Sequence, residues 1–387
     1  MKELRIIYDT DWEKITAVYN KEFRCLRTIN ALKIAHSRYS DIYETTSKDQ
    51  QLAMLSDLRR SRKTASKRSR DNDLLVENHV RKQDIVDSIK SYINSQSHNK
   101  KQKIVKKKLS IRAKKLHNMT IELLLSDLHY GRLSNEFNAK VARDRMCQLI
   151  DATVKEVDTH SKLFNIDRII VAMMGDMIES YTMHGLESAM ASEMANSEQI
   201  VLAITSLMED ALIPLLELGY PIYVPCVTGN HDRTEREKTY NLVGRNNVTW
   251  IIYNTLEMLC KSMGYNEDNI KFEIAESPYI VSNIYHNKIM WEHGDNIKNT
   301  NKKTIEDHIA KRQKQISEII DFFRMGHYHE FTLYEQGRIM INGCLTGQDG
   351  YADVWGFNTH ACQILNFYVE TKDRPNCFYK SFPVQLN

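Results

Sequence analysis

Residues 121–131 read Ile-Glu-Leu-Leu-Leu-Ser-Asp-Leu-His-Tyr-Gly. Apart from Glu122, the run Ile121–Leu125 is apolar and reads as a buried strand, since a strand covered on both faces shows no polar alternation. It leads straight into Asp127-Leu128-His129. Asp and His are side chains that hold borderline divalent metals. Set two apart on an extended segment, Asp127 and His129 would face one side while Leu128 turned back into the core.

Working outward, the same construction recurs. The apolar run Arg168–Met174 leads into Gly175-Asp176, and Ile222–Val227 leads into Gly229-Asn230-His231-Asp232. Lys288–Trp291 precedes His293, and Gly326-His327-Tyr328-His329 closes the series. Ligands at successive strand ends converge on one rim of a sheet, where α/β proteins place their sites. Gly175, Gly229, Gly294 and Gly326 stand beside them and permit tight turns and close backbone approach. His327 and His329 can hand one imidazole to each of two neighbouring ions, and Asp176 can bridge them. A two-metal site of this kind is a device for hydrolysing phosphate esters. Carboxylate, amide and imidazole without thiolate favour Mn²⁺, with Fe or Zn as alternatives.

The chain has 387 residues, enough for two or three domains. Its formal net charge of +3 hides an asymmetry. Residues 1–118 hold 28 Lys+Arg against 14 Asp+Glu, a balance of +14; the remainder holds 25 against 36, a balance of −11. A basic segment beside an acidic body suggests a polyanionic partner reached through the N-terminal part. Residues 11–38 carry Trp12, Ile15, Val18, Tyr19 and Phe23 at helical spacing, and Thr28 can cap a second helix with Ala31, Leu32 and Ala35. Two short helices about Cys25-Leu26-Arg27 are consistent with a helix-turn-helix. Residues 59–70 and 98–115 are basic and apolar-poor, either solvated linkers or phosphate-backbone contacts. Ile85, Ile89, Tyr92 and Ile93 mark an amphipathic helix between them. The expected division is 1–58, a helical module; 59–118, a basic linker with that helix; and 119–387, the catalytic domain. No run of 18 apolar residues occurs, so no membrane span is expected. Seven cysteines without a CxxC pair read as free thiols, and the cytoplasm is the expected compartment.

Further helices are expected over 141–157, 187–217 (ending before Pro214 or near Gly219), 239–263 and 302–318. Further strands are expected at 270–274, 279–285, 288–292, 320–325, 331–341 and 362–369. Alternating strands and helices followed by strand-rich sequence suggest a two-sheet α/β core with helices outside.

The ordered set D-x-H, G-D, G-N-H-D, H, G-H-x-H resembles the calcineurin-like metallophosphoesterase superfamily over residues 121–345. The stretch around Asp127 and the late His293-Gly294-Asp295 look most like SbcD-type DNA repair nucleases and their phage relatives. Residues 11–32 resemble Myb/SANT-like DNA-binding modules. The superfamily resemblance implies an αββα sandwich, here with a basic, mostly helical N-terminal extension. It also implies two divalent ions. Asp127, His129, Asp176 and His329 would hold the first; Asp176, Asn230, His293 and His327 would hold the second. His231 would not be a ligand but would stand over the phosphate and protonate the leaving oxygen or stabilise the transition state, and Asp232 could orient it through a hydrogen bond.

The partner so implied is nucleic acid, DNA in particular, with no membrane. A homodimer is implied by the resemblance. Only about 40 residues follow the last motif region, which speaks against the ATPase partner of such nucleases. Two enzymatic readings share this chemistry: a DNA endo- or exonuclease, and a phosphatase or small-molecule or nucleotide phosphodiesterase whose N-terminal third localises it. A third, a DNA-binding protein with a decayed catalytic domain, is opposed by the intact ligand set. Beside the motifs, Arg132 and Tyr130 could touch a phosphate or stack on a base. Arg233 and Arg236 could contact substrate or lie exposed, and Asp295 and Asn296 could support His293 or form a turn. His184 reads as an exposed loop residue, His360 as a packing or capping residue, and Cys344 as a buried thiol.

Overall fold

In the computed structural model, residues 8, 11–22, 27–33, 36, 117–182, 189–235, 242–347, 360–371 and 376–387 are described. The chain divides into two compact units, Met1–Lys82 and Gln83–Asn387. In the first, helix α1 spans Trp12–Glu22 and residues 29–33 are also helical. The Ala31 amide donates to Thr28 Oγ1, as the cap reading requires. Ile15 and Leu32 are buried. The turn at Cys25-Leu26, the basic stretches 59–70 and 98–115, and the amphipathic helix about Ile85–Ile93 lie outside the described residues.

The second unit is built on two sheets. The first has the order β11-β10-β1-β2-β3-β4, the second β5-β6-β7-β9-β8. In the first sheet β1 (Asn118–Leu125), β2 (Asn165–Met174), β3 (Ile222–Val227) and β4 (Ile270–Ile274) run parallel. β10 (Cys362–Val369) and β11 (Phe378–Gln385) complete it in antiparallel fashion. In the second, β6 (Asn287–Glu292), β7 (Phe322–Met325) and β9 (Ile339–Ile341) are parallel, flanked by β5 (Tyr279–Ile284) and β8 (Thr332–Tyr334).

Strand periodicity builds the layers. Leu123 and Leu125 point to one face of β1 and join the core with helices α2 (Ala139–Ser161), α3 (Asn196–Ser206) and α5 (Val248–Ser262). Leu124 points the other way and packs with Met174, Trp291, Phe322, Met340 and Tyr368 between the sheets. Phe323 and Met325, on the outer face of β7, meet Ile305 and Ile309 of α6 (Lys302–Ile316). The result is the expected helix–sheet–sheet–helix sandwich.

Glu122 is the exception in the β1 run. It faces the inter-sheet layer and is fully buried. Trp291 Nε1 donates to its Oε1 at 2.7 Å, while Asn366 Nδ2 at 2.7 Å and Tyr368 OH at 2.6 Å donate to Oε2. The buried Arg324 lies 3.4 Å from Oε2 and donates to Tyr368 OH at 2.8 Å. Removing one member of such a network strands the opposite charge in the core. Glu122→Ala is therefore expected to cost about 3–5 kcal/mol in urea unfolding, whereas Asn366→Leu, which leaves the ion pair intact, should cost less.

Several boundaries differ from expectation. Of the two ends expected for the helix over 187–217, the one near Gly219 holds, since the helical run continues to Glu217 and does not stop before Pro214. A π-type turn, Leu207–Leu212, links α3 to α4 (Ile213–Glu217), with the Ile213 amide bonded to Met208 O and Pro214 in the first turn of α4. That register shift seats a residue that cannot donate. The stretch Asn196–Glu217 is long and apolar enough to cross a membrane, but Ile200, Ala203, Leu207, Ala211 and Leu215 on it are core residues here. The helix expected over 239–263 begins only at Val248, after the extended Asn247. The strand expected over 331–341 is a hairpin, broken by Glu335–Gly337, all in left-handed conformation. Strand β11 was not expected, because Pro383 and polar residues interrupt its pattern; it lies at the sheet edge, where a missing N–H is tolerated. The described cysteines 147, 226, 260, 344, 362 and 377 are free.

Candidate metal centre

The C-terminal ends of β1, β2 and β3 lie side by side, and β6 and β7 end likewise in the second sheet. The loops after them are knitted together. Leu128 and His129 amides donate to Asp176 O, the Asp127 amide to Gly175 O, and the Gly326 amide to His293 O. The His327 amide donates to the Asp127 carboxylate at 3.0 Å, and the His231 amide to Asp176 Oδ1 at 2.8 Å.

The extended backbone expected for Asp127 and His129, and for His327 and His329, is not found. Asp127 (φ 54°), His129 (46°), Asp176 (53°), His327 (74°) and His329 (57°) all occupy the left-handed region. Leu128 is nonetheless buried. The paired side chains face one way because the chain curls in left-handed turns, not because it is pleated. Each such residue costs on the order of 1–3 kcal/mol, a cost that persists where the surroundings over-determine it. Two glycines allow this crowding. A Cβ on Gly229 would stand 2.0 Å from Asp176 Oδ1, and one on Gly326 would stand 2.4 Å from Asp127 Oδ2.

Among the described residues, Asp127, His129 and His329 form one group whose ligand atoms lie within 4.8 Å of one another; Asp176, His293 and His327 form a second, and His129, Glu179 and His231 a third. Asn230 joins the second, its Oδ1 3.1 Å from His293 Nε2. His327 and His329 are thus divided between the first two groups, as expected.

This donor set fits cations. His293 Nδ1 lies 2.8 Å from Met174 O, so it must carry the ring proton of the neutral form and leave Nε2 as a lone pair. Yet Nε2 faces only acceptors, Asn230 Oδ1 and Asp176 Oδ2, each at 3.1 Å. A proton or a metal ion satisfies that arrangement. In the first group, His129 Nε2 and His329 Nε2 face each other at 3.1 Å, and His329 Nε2 is 3.4 Å from Asp127 Oδ1. His129 Nδ1 is buried without a well-aligned hydrogen bond, although Glu179 Oε2 is 2.9 Å away.

The electrostatics agree. Burial acts to lower the pKa of His293, but the charge and hydrogen bond of Asp176 outweigh it and hold it up at about 10. Burial likewise opposes Asp176, whose carboxyl is nevertheless held well below the ordinary range by His293 and His231. Burial, then repulsion from His293, brings His327 down to about 4. A proton must leave His293 before Nε2 can bind a cation, so Mn²⁺ affinity should rise with pH. The expected slope is about tenfold per unit below pH 10 from this proton alone. The metal-free protein should show the reverse. His293's contribution to stability is complete below its unfolded value of 6.5 and is lost as pH rises to about 10. Thermal melts of stripped and loaded protein across that window check both signs.

Asp232 does not orient His231. Its carboxylate accepts the amides of Asp176 (2.7 Å), Met177 (3.0 Å) and Gly229 (2.9 Å), pinning the β2 and β3 loops together. A carboxylate two bonds from its own loop reaches those amides more readily than the neighbouring ring. Burial first, then repulsion from Asp176, pushes it up to about 7. The partner of His231 Nδ1 is the Glu179 carbonyl at 2.7 Å. Glu179, absent from the sequence reading, therefore serves two histidines, with its carbonyl on His231 and its carboxylate beside His129. Its position three residues after Asp176 was the available signal.

Tyr130 cannot stack on a base: it is buried, and its hydroxyl donates to Ser206 Oγ at 2.7 Å. Arg132 Nη1 lies 3.5 Å from Glu179 Oε2. Arg233 is paired with Asp295. His360 is exposed, and Cys344 is a buried thiol bonded by Thr346 and Gly347. His184 and Arg236 lie outside the described residues.

No family model matches the chain, and no curated protein does. Solved structures do match. Vps29 from Entamoeba histolytica, complexed with Zn²⁺, is 14% identical over 69% of this chain and 99% of its own, with a TM-score of 0.28. A predicted phosphoesterase from Streptococcus pneumoniae is 13% identical over 69% and 98%, with a TM-score of 0.27. A putative 5'-nucleotidase from Staphylococcus aureus is 10% identical over 69% of this chain and 54% of its own, with a TM-score of 0.28.

Proposed function

We propose that this chain is a two-metal phosphodiesterase acting on nucleic acid, DNA in particular, with the basic N-terminal third as the polyanion-binding part. The observation that carries the hydrolytic reading is the His293 arrangement, an imidazole lone pair aimed at two oxygen acceptors beside a second Asp/His group. Two divalent cations, Mn²⁺ by this donor set, would supply Lewis acidity toward phosphoryl oxygen and a water acidic near neutral pH. Asp127, His129, His329 and Asp176 would hold one; Asp176, Asn230, His293 and His327 would hold the other.

The remaining work falls to the chain. His231 sets Nδ1 against the Glu179 carbonyl, and its Nε2 would handle the leaving oxygen's proton. Its ring stands 4.6 Å from that of His129, edge to face, so it sits beside the metal groups. Asp232 keeps the Asp176 and Asn230 loops in register through their amides. Arg132, beside Glu179, keeps a cation near the first group.

The DNA reading draws on the +14 balance of residues 1–118 and on the capped helix pair in the first unit. The −11 balance of residues 119–387 favours the second reading, a phosphatase or nucleotide phosphodiesterase. One assay separates them. Full-length protein with Mn²⁺ is given single-stranded and duplex DNA, bis-p-nitrophenyl phosphate and p-nitrophenyl phosphate. Cleavage of DNA that falls steeply with salt, together with diester turnover, is expected. Monoester turnover without DNA cleavage would transfer the assignment to the second reading.

A further inference from the structure

We propose that Arg233 and Asp295 are a positioning pair that fastens the two loops of the second metal group, and so set its cation affinity; this rests on the two-metal reading above. The loop after β3 carries Asn230 and His231 and ends in Arg233. The loop after β6 carries His293 and turns through Gly294 and Asp295, with the Ile297 amide bonded to Gly294 O. Arg233 Nη2 donates to Asp295 Oδ2 at 2.6 Å, both side chains being largely buried, at 18% and 15% exposure. Such a charge-assisted bond is short and less screened than one on the surface.

Each end is anchored. Arg233 is bridged to Asn247, and the adjacent Asp232 carbonyl accepts the Val248 amide that starts α5. On the other side Asn296 Nδ2 donates to Asp295 Oδ1 at 3.3 Å, and Tyr328, between His327 and His329, donates its hydroxyl to Ile297 O. Asn230 Oδ1 and His293 Nε2, the atoms that would hold a cation, lie 3.1 Å apart. The Arg233–Asp295 bond joins the same two loops through other atoms. It can therefore hold the ligands at working distance before any cation arrives. Asp295 is also within electrostatic reach of His293, His327 and Arg312.

Charge alone and mechanical fastening predict different signs. Deleting Arg233 leaves an uncompensated carboxylate near the group, which by charge alone strengthens cation binding. Deleting Asp295 leaves a guanidinium, which weakens it. Fastening predicts that both deletions weaken it.

The test uses full-length protein stripped of metal and titrated with Mn²⁺ alone by calorimetry. The variants are Arg233→Ala, Asp295→Ala and the exchange Arg233→Asp with Asp295→Arg; metal-free thermal midpoints are measured alongside. Each single change is expected to weaken one of the two Mn²⁺ equivalents by about tenfold or more, the range typical of groups that orient metal ligands. The exchange should recover most of the loss. If the alanine variants do not fold, Arg233→Lys and Asp295→Asn carry the same comparison. Unchanged affinity, opposite signs for the two deletions, or an exchange that recovers nothing overturns the proposal. Intact Mn²⁺ binding with a raised KM for the diester also overturns it and assigns Arg233 to the substrate. Wild-type protein that binds two Mn²⁺ but hydrolyses no ester removes the phosphoesterase reading alone.

Discussion

His231→Ala should keep both Mn²⁺ equivalents and lose about 10²–10⁴-fold in turnover, the usual contribution of a positioned proton-transfer group. The ring's Nδ1 is bound to a main-chain carbonyl, and the groups built on Asp127 and on Asp176 are made by other side chains, His231 being grouped with His129 and Glu179. Removing it takes away a proton donor without opening either of those groups. The amide of residue 231 still reaches Asp176 Oδ1, so the loop keeps its seat. Elemental analysis and steady-state kinetics on one preparation decide the matter. Loss of metal together with turnover would show that His231 is a ligand through its contact group with His129 and Glu179. A rate loss that shrinks for substrates with acidic leaving groups would agree with a role at the leaving oxygen, since such groups depart without a proton.

Asp176→Asn should have the wider effect. Asp176 belongs to the second group and reaches the first electrostatically: its Oδ2 faces His293, its Oδ1 accepts the His231 amide, and its charge is felt at Asp127 and His129. The amide is nearly the same size, so the fold survives, but the carboxylate charge is gone. Mn²⁺ affinity should fall by more than the about 10–100-fold typical of outer partners, and hydrolysis should fall to background. The metal-free variant offers an independent check. Without Asp176's charge the His293 proton is no longer held to about pH 10, so the stability loss between pH 6.5 and 10 should vanish from its melts. Asp232, pushed up partly by Asp176, should titrate lower in the same variant. A variant that retains both ions would remove Asp176 from the shared position.

How far the site was legible can be argued residue by residue. Asp127, His129, Asp176 and Asn230 follow strands of the first sheet, while His293, His327 and His329 follow strands of the second, so these residues come from the edges of two sheets and not from the one rim expected. Parallel neighbours end on the same edge whatever the loops between them do. The split between His327 and His329 follows from order and spacing. The backbone form behind them does not: an x between two ligands fits a pleat as well as a left-handed curl, and only the amide bonds to Asp176 O and the Asp127 carboxylate select the second. Asp232 was misread for a related reason. Adjacency to His231 suggested a side-chain partner, while folding brought the Asp176 and Met177 amides, some 55 residues away, nearer to its oxygens. The Glu122–Arg324 network leaves no spacing to read because its contacts run between the sheets, whereas Glu179 offered only its place three residues after Asp176.

By itself the amino-acid order determined that strands would alternate with helices, that each of these turns would follow a buried strand, and that hard oxygen and imidazole donors would stand at the strand ends. Those outcomes depend on local hydrophobic runs and on the few residues immediately C-terminal to each run. Tertiary structure alone decided which nitrogen of each histidine faces inward, which carboxylate holds a loop in place of a cation, and that Arg233 reaches Asp295 across two loops. These are distances of about 3 Å between residues far apart in the chain, and such distances exist only once both sheets have packed.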